Sequence, residues 1–298
     1  MRKILKWFGF VLAGFAAIVL IALAAIYIRS EQRINRTYQV EPENDSYRTS
    51  DELLEQGEHL AVIRGCTDCH GDNLGGEVMI ADPMIGVIAA SNLTSGEGGV
   101  AETYTDPELA RAIRHGIDAE GQGLIVMPSQ EFFVLSDGDV AALIAYIRSL
   151  EPVDNSLPER NLTLMARALF VAGQLPPLAA EVIDHEEPHP EAPAPAANAE
   201  YGKYLATGCI GCHGADYSGG PIPGGPPGSP PAPNLTPAGN LGNWTESDFI
   251  NTLRTGETPG GRQMDPEFMP WTATAQMSEL ELKAIWAFLQ TLPPTESN

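Results

Sequence analysis

A chain of 298 residues is long enough for two domains of ordinary size. Its 39 acidic and 17 basic side chains give a formal net charge of −22, which excludes the basic surface that nucleic-acid phosphates demand. Hydrophobic residues at 43% and charged residues at 19% are a globular balance, and the acidity suits either a well-solvated surface or a docking partner with basic patches.

The chain opens on Met1-Arg2-Lys3-Ile4-Leu5-Lys6, after which Trp7 to Ile28 is uncharged and almost wholly apolar. A bilayer core needs about 20 such residues, so segment 1–30 is predicted to be a transmembrane anchor in contact with lipid. A cleaved signal peptide competes with this reading, because Ala22-Leu23-Ala24 resembles a small-residue cleavage site. The run nevertheless exceeds the roughly 7–15 apolar residues of a signal peptide. Arg2, Lys3 and Lys6 on one side are balanced by Arg29, Arg33 and Arg36 on the other, so charge alone sets no orientation. Residues 31–48 are polar without helical periodicity and read as a stalk.

Two halves of one plan follow, 49–152 and 199–294. In the first, Ser50 caps a predicted helix that runs to Arg64, and Thr105 with Glu108 forms a capping box ahead of Leu109 to His115, with Gly116 as the stop. Ser136 and Asp139 start the last helix, which carries Val140, Leu143, Ile144 and Ile147 at helical spacing. The second half repeats these devices with Asn198, with Thr245 and Asp248 before Gly256, and with Ser278 and Glu281 before Leu282, Ile285, Trp286 and Leu289. No convincing alternating strand is legible, so the predicted class is all-α. Between the halves, 153–198 holds an apolar stretch, Asn161 to Gly173, predicted as a short helix packed on one half or lying on a membrane or partner. A proline-rich spacer follows from His185 to Ala197.

All four cysteines fall in two copies of one motif, Cys66-Thr67-Asp68-Cys69-His70 and Cys209-Ile210-Gly211-Cys212-His213. Two residues between the thiols let both sulfurs face one porphyrin edge, and the adjacent histidine turns its imidazole toward the iron. Cys-x-x-Cys-His therefore reads as c-type haem attachment. A zinc ribbon would place its cysteine pairs about 15–20 residues apart, and a thioredoxin-like pair would want a βαβ setting. Neither condition holds here. Later landmarks recur in order: Asn92-Leu93-Thr94 with Asn234-Leu235-Thr236, Arg114 with Arg254, and Met127-Pro128 with Met269-Pro270. Met127 lies 57 residues beyond His70 and Met269 lies 56 beyond His213, which makes both candidate sixth ligands. Arg114 and Arg254 are candidate partners of a haem propionate, and Asn92 and Asn234 candidate braces of the loop under the haem. Met79, Met84, Met165, Met264 and Met277 are expected to be core packing, while His59, His115, His185 and His189 are treated as ordinary polar or spacer positions.

With these residues in hand, each half resembles a class I cytochrome c domain, the likeness covering about 49–152 and 199–294. Taken whole, the chain is similar to di-haem membrane cytochromes of bacterial respiratory systems and, in its haem halves, to cytochrome subunits of periplasmic dehydrogenases. Those subunits often carry three haems against two motifs here, so the resemblance favours a generic carrier. It implies two covalently bound haem c groups and a single-pass anchor in the cell inner membrane with the haem domains on the periplasmic side. It also implies one-electron transfer between a respiratory or photosynthetic donor and an oxidase, reaction centre or soluble carrier, with redox proteins or a membrane complex as partners. No substrate bond would be made or broken. A di-haem peroxidase-like enzyme and an assembly subunit are the competing readings; the methionine in both halves weighs against the first.

Overall fold

The computed structural model describes residues 2–40, 50–223, 225 and 228–297. Helix α1 (Arg2–Ile34) opens the chain. Its span Lys6–Ile34 is long and apolar enough to cross a membrane, and the most apolar stretch within it is not buried against the rest of the protein. The helix runs four residues beyond the predicted end of the anchor, because Ile34 is buried in a small core of its own with Phe170 and Leu178. Part of the predicted stalk is likewise docked: Tyr38 N–H donates to the Gly121 carbonyl at 2.9 Å, and Thr37 bridges to Gln122. The rest of the stalk, 41–48, lies outside the described residues.

The first half continues through α2 (Asp51–Ile63), α3 (Cys66–His70), β1 (Glu77–Asp82), β2 (Gly86–Ala90), α4 (Asp106–His115), α5 (Ser129–Phe132) and α6 (Asp137–Ser149). The connection contributes β3 (Asn161–Leu162), α7 (Leu164–Val171) and α8 (Ala179–Val182). In the second half come α9 (Ala199–Leu205), α10 (Ile210–His213), α11 (Glu246–Thr255), α12 (Trp271–Thr274) and α13 (Glu279–Leu289).

The caps explain where the helices begin. Ser50, Ser136, Asn198 and Ser278 each accept a hydrogen bond from the backbone N–H three residues on, and Thr105 with Glu108 and Thr245 with Asp248 form reciprocal capping boxes. Each cap satisfies donors that a helix start leaves open, and each contributes about 1 kcal/mol. Gly116 and Gly256 end α4 and α11 in the left-handed conformation, at φ 64° and 73°.

Within each half the first long helix crosses the last, α2 on α6 and α9 on α13. Glycine permits the closest approach at both crossings. A Cβ on Gly57 would stand 2.0 Å from the Ala142 carbonyl oxygen, and one on Gly202 would stand 1.8 Å from that of Ala284. The two crossings share one apolar cluster, in which Leu60, Leu143 and Ile144 of the first half continue into Leu205, Leu282 and Phe288 of the second.

Three expectations change. The fold is predominantly helical, broadly as the all-α class predicts, but some strands are present: β1, β2 and β3 form an antiparallel three-stranded sheet. Nearly every residue of β1 is exposed, so no buried face imposed the alternation by which a strand is recognised. Helix α7 packs mainly on α1, and its Phe170 shares with Ile34 a small cluster against which only Ile125 of the first half's loop is packed among the described residues. Of the five methionines expected in the core, Met277 is buried, whereas Met79, Met84 and Met165 are exposed.

Candidate haem-binding sites

The two motifs adopt the same local structure. Each histidine ends a short helix, α3 or α10, closed by a glycine at positive φ, Gly71 at 79° and Gly214 at 77°. All four thiols are free of disulfides. Burial pushes the Cys66 thiol up to about 12 and the Cys209 thiol to about 11, so both are protonated at neutral pH.

The imidazoles are oriented from below. His70 Nδ1 lies 2.7 Å from the Ser91 carbonyl oxygen and His213 Nδ1 lies 2.8 Å from that of Pro233. A carbonyl only accepts, so Nδ1 carries the proton and Nε2 keeps its lone pair. Burial lowers the pKa of both rings, which further favours the neutral form that a metal requires. Paired thiols on one turn beside a neutral, tautomer-fixed imidazole are the donor set that a covalently held haem needs.

The residue after each supporting carbonyl is the asparagine singled out by the repeat. Asn92 is wholly buried; its Nδ2 donates to the Val153 carbonyl at 2.7 Å while its Oδ1 accepts from the N–H and hydroxyl of Thr94. Asn234 makes the same bonds to Thr295 and Thr236. Each asparagine thus pins the peptide that holds the histidine to the chain leaving the last helix. Just past each motif, Leu74 and Tyr217 take left-handed backbone at φ 54° and 60°, and their carbonyls accept from Leu93 and Leu235. The strain of a bulky residue there is tolerated because both side chains are buried.

Met127 and Met269 stand immediately before α5 and α12, whose N-caps are Pro128 and Pro270 with closely matching backbone angles. Each methionine lies in a loop bounded by an arginine. Arg114 is fully buried and donates to the Leu135 carbonyl at 2.8 Å and to Asp137 at 2.6 Å, tying α4 to the start of α6. Arg254 is exposed and donates to the Ala275 carbonyl at 3.2 Å. Equal positions in the repeat have thus diverged in burial.

The family model described as Cytochrome c matches residues 54–151 and 199–293. The chain belongs to the cytochrome c family. Membership implies haem c bound covalently and the one-electron chemistry of that family. The chain is similar to the fructose dehydrogenase cytochrome subunit of Gluconobacter japonicus, 29% identical over 80% of this chain and 52% of that protein. The alcohol dehydrogenase (quinone) cytochrome c subunit of Gluconacetobacter polyoxogenes is 30% identical over 81% of this chain and 56% of its own length. A diheme cytochrome c-type protein of Cereibacter sphaeroides is 32% identical over 31% of this chain and 35% of its own. The chain spans about half the length of the first two relatives.

The structure of this cytochrome brings the two motifs together through residues that sequence reasoning left aside. Arg64, two residues before Cys66, donates to the carbonyls of Tyr204 and Leu205 and to the Thr207 hydroxyl, just ahead of Cys209. Glu131 of α5 lies against Gly211 inside the second motif, and burial there raises its carboxyl to about 7. His59 Nε2 meets Glu281 at 2.9 Å, and the Tyr204 hydroxyl donates to Asp139 while accepting from Ser136 N–H. His115, at the end of α4, meets His185 with the two Nδ1 atoms 2.9 Å apart, and His189 Nδ1 lies 2.9 Å from the Phe133 carbonyl. The spacer is therefore docked on the first half where it begins. The signal that pointed to the interface was the register itself: His59 and Tyr204 follow Gly57 and Gly202 by two residues, and Asp139 and Glu281 occupy the same capping position.

Proposed function

We propose that this chain is a membrane-anchored di-haem cytochrome c. One haem is bound by Cys66, Cys69, His70 and Met127 in the half 49–152, and the other by Cys209, Cys212, His213 and Met269 in the half 199–294. The observation that carries the reading is the repetition, in both halves, of free paired thiols beside a histidine whose Nδ1 is held by a carbonyl, with a Met-Pro step at matched spacing. Bound there, the iron supplies a one-electron couple whose potential a thioether ligand raises. The chain's own residues would attach each haem through two sulfurs, present Nε2 of His70 to one and of His213 to the other, and bring a methionine sulfur to each from the loops before α5 and α12. Arg114 and Arg254 hold those loops; Arg254, the more exposed, is the better partner for a propionate.

Covalent haem attachment takes place outside the cytoplasm, so the haem halves face the periplasm and α1 crosses the inner membrane once. The similarity to dehydrogenase cytochrome subunits supports a second, narrower reading, in which the chain receives electrons from a periplasmic dehydrogenase and passes them to a membrane acceptor. Optical redox titration tests the assignment. Two low-spin centres are expected, and Met127→Ala and Met269→Ala should each lower one potential. Unchanged titrations in both variants would remove the ligand assignment, and a high-spin ferric centre with peroxide turnover would restore the peroxidase reading.

A further inference from the structure

Helix α7 sits at the level where α1 leaves the apolar run. Trp7 to Ile28 spans about 33 Å at the helical rise, close to the thickness of a hydrocarbon core. The contacts of α7 begin at the end of that run: Arg167 stacks on the Tyr27 ring at 4.6 Å and bonds Ser30 and Glu31, and Arg33 stacks on the Phe170 ring at 4.0 Å. These contacts use one face of α7. The other face carries Leu164, Met165, Ala168, Val171 and Ala172, of which Leu164, Met165 and Val171 are 40%, 51% and 39% exposed. The hairpin of β1 and β2 extends this face, because Thr163 bonds the Met84 and Ile85 carbonyls and so sets Met84, 62% exposed, beside the start of α7.

An uncharged apolar strip is unusual on a chain of net charge −22. The cations nearby complete the pattern, since Arg29, Arg33, Arg36, Arg160 and Arg167 cluster around the end of α1, outnumbering the carboxylates Glu181 and Glu31 that pair with Arg33 and Arg167. Apolar side chains flanked by guanidinium groups at the end of a membrane-spanning run match the boundary between acyl chains and lipid phosphates.

We infer that the outward face of α7, with Met84 of the hairpin tip, is a second membrane-contact surface that dips into the outer lipid interface and fixes the tilt of the first haem half over the bilayer. This rests on the reading of α1 as a membrane anchor. A short amphipathic contact adds little affinity beside a spanning helix. Its consequence is orientation, because α1 is clamped to α7 and, through Tyr38 and Gly121, to the loop that bears Met127.

The full-length holoprotein, reconstituted into vesicles of phosphatidylethanolamine and phosphatidylglycerol, tests this. Single cysteines replacing Met165, Met84, Phe15 and Glu200 would carry an environment-sensitive fluorophore, with quenching by nitroxides attached at the lipid headgroup or deep in the acyl chain. Labels at 165 and 84 should emit blue-shifted relative to the label at 200 and be quenched most by the headgroup nitroxide, and the label at 15 should be quenched most by the deep one. If the labels at 165 and 84 behave like that at 200 while the label at 15 is quenched from within the bilayer, the anchor stands and the second contact is overturned. If the label at 15 also behaves as aqueous, the anchor reading fails and takes this inference with it.

Discussion

His59 in the first half and Glu281 in the second are 2.9 Å apart, and Tyr204 and Asp139 make the same connection in the opposite direction. Each partner on a first helix reaches the third residue of the other half's last helix, so the interface is a pseudo-twofold exchange built on the repeat. Tyr204→Phe should cost about 1–3 kcal/mol, because it strips a buried hydroxyl from both Asp139 and the Ser136 N–H. Thermal unfolding followed at the haem absorbance would measure it, and loss of less than a few tenths of a kcal/mol would disprove the exchange as a stabilising element.

The His59 pair predicts a pH window for that interface. Its hydrogen bond to Glu281 raises His59 above its ordinary value of 6.5, against the opposing effect of burial. For Glu281, burial alone would raise the carboxyl, but the bonds from His59 and Ser278 outweigh it and hold the group below its ordinary 4.5. The His59 contribution is complete below 6.5 and lost as pH rises through the raised value; the Glu281 contribution is complete above 4.5 and lost as pH falls through the lowered one. The stability difference between wild type and His59→Gln should therefore be largest between these two pH values. With His59 about a third exposed, it should reach about 1 kcal/mol or less. A difference independent of pH would exclude the ion pair.

Gly57→Ala and Gly202→Ala each add a methyl where the partner helix's carbonyl already stands within 2.0 Å. Helix propensity would favour alanine by about 1 kcal/mol, but overpacking at the crossing should outweigh it and leave a net loss of about 2 kcal/mol or more. Denaturant midpoints of the two variants would decide; an unchanged or raised midpoint would contradict the crossing geometry.

Asn92→Ala and Asn234→Ala should each perturb one haem centre and spare the other. Removing a buried amide that makes several hydrogen bonds costs about 2–3 kcal/mol and frees the peptide whose carbonyl orients His70 or His213. With one haem in each half as proposed, redox titration separates this positioning role from mere destabilisation, since one potential should shift at full occupancy of both sites.

Arg114 and Arg254 should respond unequally. Arg114→Met removes a fully buried guanidinium from the Leu135 carbonyl and Asp137 and should destabilise by about 3 kcal/mol, whereas Arg254→Met, at an exposed position, should change stability by less than about 0.5 kcal/mol. Equal losses would show that the two loops are held alike.

Local chemistry was legible in the sequence wherever one segment sufficed to specify it. The Cys-x-x-Cys-His motifs, the capping residues Ser50, Thr105, Asn198 and Thr245, and the apolar run Trp7 to Ile28 each depend on residues close together in the chain, so spacing reveals them. The hairpin was missed because both faces of β1 are exposed. The docking of α7 on α1, of His185 on His115, and of one half on the other was missed because those contacts join residues far apart in sequence. Only tertiary structure decides which carbonyl meets His70, why Asn92 stands beside it, and that His59 and Tyr204 answer Glu281 and Asp139. Hydrogen bonds and close packing are set by positions in space, and a repeat in sequence supplies equal parts without fixing how they face each other.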